Sequence, residues 1–63
     1  MDSDRAELSA LSSSLDDLTA RITAVADRLR TSPRPETSDG LYEVERSLTT
    51  AGRQLNRVLR DLR

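Results

Sequence analysis

Apolar residues recur along the chain at spacings of three, four, three and four. The first run is Leu8, Leu11, Leu15, Leu18, Ile22, Val25 and Leu29; the second is Leu41, Val44, Leu48, Ala51, Leu55, Val58 and Leu62. A repeat of 3.5 residues places all members of a run on one narrow stripe of an α-helix, and such a stripe buries itself against another helix. Two runs of this kind predict two helices joined along a shared seam. The fold class expected is therefore all-α: a two-helix antiparallel coiled-coil hairpin filling 1–63 as a single unit, with two hairpins pairing into a four-helix bundle.

The punctuation between the runs sets the expected boundaries. Ser3 or Asp4 can cap a first helix over about 4–30, with Glu7 three residues after Asp4 as an approximate capping box. Acidic Asp2, Asp4 and Glu7 suit the positive end of that helix, and Arg28 and Arg30 its negative end. Pro33 and Pro35, one residue apart, interrupt helical geometry, so 31–38 is expected as the connector. Ser38 or Asp39 then caps a second helix over about 39–62, with Arg57, Arg60 and Arg63 towards its end. Tyr42 is expected against the proline connector. Gly52 interrupts the second helix at a cost of about 1 kcal/mol relative to alanine. It is either a tolerated accident or a place where a neighbouring backbone comes close.

Heptad letters expose an asymmetry. With Leu8 and Leu41 at a, the e positions carry Ser12, Thr19 and Ala26 on the first helix, and Glu45, Gly52 and Leu59 on the second. The g positions carry Glu7, Ser14, Arg21 and Arg28, then Ser47, Gln54 and Asp61. The e flank is small and partly apolar, so Gly52 and Leu59 are expected to mark the surface where a second copy docks. On the outer face of helix 1, Ala6, Ala10, Ala20 and Ala24 offer either a further docking surface or simply good helix formers.

Composition narrows the functional classes. Ten basic residues face eleven acidic ones for a net charge of −1, so no global charge directs the chain to nucleic acid or an anionic membrane. Every basic residue is arginine, which follows from codon bias of a GC-rich genome or from selection for bidentate carboxylate and phosphate contacts. Arg46, Arg53, Arg57, Arg60 and Arg63 share one broad face of helix 2. That face is either solvated helix surface or a phosphate-binding stripe without interleaved aromatics. Cysteine and histidine are both absent, which removes disulfides, thiol chemistry and the usual zinc ligands. No apolar run approaches the roughly 18 residues that span a bilayer. A cytoplasmic location is the expectation, with no cofactor and no small-molecule substrate.

No serine has a histidine to activate it, and the adjacent Asp16 and Asp17 diverge around a helix, so the chain is not expected to be an enzyme. Its size points elsewhere. Ordering a residue costs about 1.5 kcal/mol, and a seam that half-covers each leucine recovers only part of the roughly 1.5–3 kcal/mol of full burial. Chains this short rely on disulfides, metals or association. Association is what the composition leaves. The expected function is a non-catalytic scaffold or adaptor that self-associates through the leucine seams. The alternatives are a small accessory subunit completing another helical protein and a nucleic-acid-associated protein using the helix 2 arginines. The layout, with Leu41-Tyr42-Glu43 opening the second helix, resembles small noncatalytic subunits such as that of exonuclease VII, apart from a longer, Pro-rich connector. In outline it is also similar to secreted helical hairpins of the Trp-x-Gly class, whose tryptophan this chain lacks.

Overall fold

A computed structural model describes residues 2–62. Helix α1 spans Asp2–Arg30 and helix α2 spans Pro35–Asp61, and the two pack against each other as an antiparallel hairpin. The register is set by contacts that pair each position of α1 with a descending position of α2. Arg5 donates to the Leu62 carbonyl, Ser12 meets Asn56, Leu15 meets Gly52 and Thr23 meets Glu45. The rod measures 49 × 15 × 10 Å, with a radius of gyration of 14.7 Å. A compact globule of this length would have about 11 Å. One layer of two helices has no interior, and Ala26 alone forms the fully covered hydrophobic core among the described residues.

The second helix begins four residues earlier than the proline spacing implied. Pro35 occupies its first turn, where a missing N–H costs nothing because that group has no helical partner anyway, and where the fixed proline φ already suits the helix. Arg34 is the N-cap, without a side-chain cap bond. Ser38, expected as a cap, is instead buried inside the first turns and donates its hydroxyl to the Pro35 carbonyl at 2.7 Å. The connector is thus only 31–34. Ser32 organises it: its hydroxyl donates to the Leu29 carbonyl at 2.6 Å and accepts from the Arg34 amide at 3.1 Å, closing the end of α1. At the other end, Ser3 and Asp4 lie within the first turn of α1.

Gly52 is buried in α2 facing the Leu15 side chain of α1, so its smallness serves the approach of a leucine rather than of a backbone. A Cβ at this position would meet Leu15 Cδ2 at 3.6 Å, an ordinary contact. Gly52→Ala should therefore stabilise the chain by about 1 kcal/mol, through helix propensity. At matched protein concentration this should raise the melting temperature by about 4–8 °C, read by circular dichroism. A lower melting temperature would mean that Leu15 cannot accommodate even a methyl.

Candidate interaction surface

The ladder of fourteen residues does not form one seam; it divides into two rows. The a row, comprising Leu8, Leu15, Ile22 and Leu29 with Leu41, Leu48, Leu55 and Leu62, is half-buried between the helices. The d row faces away from the partner helix. Leu11, Leu18, Val25, Val44 and Val58 are between 37% and 51% exposed, and Ala51 is exposed with them. What fills the contact beside the a row is the e row: Ser12 and Ala26 are buried, Thr19 half-buried, and opposite them Gly52 is buried and Glu45 and Leu59 half-buried. Relative to a contact centred between a and d, each helix is turned by about 50°, half the angular step between successive residues.

This corrects the expectation for the e flank. Gly52 and Leu59 face α1 of their own chain, so that flank is occupied within the hairpin and is not an outer docking surface. The physical reason is side-chain size. Ser12, Thr19 and Ala26 let the helices close on this side, and Gly52 makes room there for the Leu15 side chain.

Polar groups seal the same side. Ser12 Oγ donates to Asn56 Oδ1 at 2.7 Å, and Thr23 Oγ1 donates to Glu45 Oε2 at 2.9 Å. The Thr23 hydroxyl also lies within reach of the Thr19 carbonyl at 3.0 Å, but it has one proton and the carboxylate is the stronger acceptor. Near the connector, the Tyr42 hydroxyl donates to Asp27 Oδ1 on α1. That bond to a carboxylate holds the Tyr42 phenol above its ordinary pKa, with desolvation adding to the shift. The contact accordingly persists below pH about 10 and is lost as pH rises through the raised value. Sequence reasoning missed this set because each pair involves a b or f position, two of them with an e position and Tyr42–Asp27 joining b to f. Only the hairpin register reveals such partners.

The two broad faces of the rod therefore differ. One carries these cross-helix bonds and a shallow open groove of about 310 Å³ beside Thr19, Ala20, Gly52 and Asn56, with Asp16 and Arg53 on opposite helices at its rim. Because the helices run antiparallel, both turn their d rows to the other face, making it apolar. Its border is set by the g positions and by Asp4, which begins the d row of α1. Asp4, Glu7 and Asp61 lie at the end holding the termini, Arg28 lies towards the connector with Arg21, which Asp17 engages, and Ser14, Ser47 and Gln54 are neutral. The apolar face is acidic at one end and basic at the other.

The remaining candidates are solvated. Arg46, Arg53, Arg57 and Arg60 are exposed, and Arg46 pairs with Glu43 at 3.3 Å; Arg63 lies outside the described residues. Asp17 pairs with Arg21 at 3.8 Å while Asp16 borders the groove, so the adjacent carboxylates diverge. Ala6, Ala10, Ala20 and Ala24 are exposed. Among the described residues no group of three or more His, Cys, Asp and Glu side chains is arranged to hold a metal ion, and no helix is long and apolar enough to cross a membrane. No protein-family model matches the chain, and neither the curated proteins nor the solved structures yield a match to it.

Proposed function

We propose that the chain is a non-catalytic helical scaffold or adaptor that works by self-association, two hairpins burying their d rows against each other as a four-helix bundle. The observation carrying this reading is the apolar face itself, with five large aliphatic side chains 37–51% exposed along the rod. A lone hairpin leaves these aliphatic residues only partly covered, and covering the remainder recovers part of the about 1.5–3 kcal/mol that full burial provides. The area agrees. The hairpin exposes 4927 Å², whereas a compact monomer of its mass exposes about 4,000 Å². The excess, about 900 Å², is close to the roughly 800 Å² that one partner contributes to a standard interface.

Sedimentation equilibrium of the purified chain tests the reading. The expected mass is that of two chains, with helicity falling as dilution separates them. A single-chain mass with undiminished helicity at every concentration would count against a scaffold. Poor helicity at every concentration would instead favour the accessory-subunit reading, in which another helical protein covers the face.

A further inference from the structure

We propose that the second hairpin docks end for end, with the two connectors at opposite ends of the bundle and α1 of one copy lying antiparallel against α1 of the other. This rests on the self-association proposed above and adds its orientation.

Two symmetric arrangements bring the apolar faces together. If the two-fold axis runs along the rod, both connectors emerge at the same end and α1 of one copy faces α2 of the other. The level of each residue is then the one seen within the hairpin, where Arg5 lies beside Leu62 and Ser12 beside Asn56. Glu7 of one copy then meets Asp61 of the other, twice per dimer, with Asp4 adding to the like charge. If the axis instead crosses the rod, the acidic end of each face meets the basic end of the other.

The register of the apolar row supports the second arrangement. Leu11 and Val25 lie seven residues on either side of Leu18, so α1 pairs with itself about Leu18, Leu11 of each copy facing Val25 of the other. Glu7 lies eleven residues before Leu18 and Arg28 ten after it, so the same register brings Glu7 of each copy close to Arg28 of the other, at the two ends of the α1–α1 rim. Apolar and charged positions thus agree on one geometry. Glu43 and Arg57 carry the opposite signs near their respective ends, but they stand at c, a further step round the helix from the face, and Glu43 is engaged by Arg46. Rim charges of this kind choose between orientations more than they add affinity.

The absence of native cysteine permits a direct test. An Arg34→Cys chain, substituted at an exposed connector position, carries one nitroxide label per copy. Pulsed electron–electron resonance on the dimer should give a separation near the 49 Å length of the rod. Connectors at the same end would lie within about 25 Å, given helix spacings of about 8–10 Å. Charge reversal supplies a second readout. Glu7→Arg should weaken the dimer about three- to tenfold, because it faces Arg28 of the other copy, and adding Arg28→Glu should restore it. In the same-end arrangement Glu7→Arg would face Asp61 and tighten the dimer. Both substitutions oppose the helix dipole, so any loss of helix stability alone would make the double variant worse rather than rescue it. A short label distance in a species of two-chain mass overturns the orientation and leaves self-association standing. A single-chain mass overturns both.

Discussion

An Ile22→Asp chain should lose most of its helical circular dichroism at 25 °C. Ile22 belongs to the half-buried a row, in the turn where Thr23 reaches Glu45 and close to fully buried Ala26. Aspartate there removes an aliphatic contact and places a carboxylate between the helices, close to the Glu45 carboxylate that Thr23 engages. Lost burial and the cost of an unpaired charge together amount to about 3 kcal/mol or more. The whole fold of a 63-residue chain is worth about 3–9 kcal/mol. A single residue can therefore abolish it. A variant that melts like the parent would show that the a row is not the intrachain contact.

Leu18→Asp should fail in a different way. Leu18 is 46% exposed in the hairpin and lies mid-way along the d row, so aspartate there is tolerated by its own chain and opposed by the partner. In the end-for-end dimer the substituted positions face each other across the two-fold axis, bringing two carboxylates together in an apolar setting. The dissociation constant should rise at least about 100-fold, equivalent to about 2.7 kcal/mol. Sedimentation at micromolar concentration should then report a single-chain mass. On the proposed association its helicity should also fall, by less than in Ile22→Asp, and raising the concentration should recover it by mass action. The smaller loss separates the two rows of one ladder. If Ile22→Asp and Leu18→Asp lose helicity equally and without concentration dependence, the division of the ladder into an internal and an external row is wrong.

The two variants sit four residues apart in one unbroken repeat, and nothing in the repeat distinguishes them. What separates them is the turn of each helix about its own axis, which makes Ile22 a contact within the chain and Leu18 a contact offered to another. The same turn moves Gly52 and Leu59 from an apparent outer flank to the inside of the hairpin. The proposed association thus depends on a rotation of about 50°, too small to alter either helix.

The sequence by itself determined the helices and their antiparallel pairing. Those properties follow from local spacing: a 3.5-residue repeat is legible in one dimension, and so are the proline break and the small size of the chain. The start of α2 was misread at Pro35 because proline both breaks helices and opens them, and the difference is only whether its position is the first turn. Only the tertiary structure decided which edge of the apolar stripe turns inward. A stripe of a, d and e positions spans about 100° of helix surface, and periodicity is silent about how that width is shared between neighbours. The division was settled by sizes and partners across the hairpin. Small residues at 12, 19, 26 and 52 let the helices close on the e side, and the bonds from Ser12, Thr23 and Tyr42 hold them there. The larger aliphatic residues at d are left partly exposed on the opposite side.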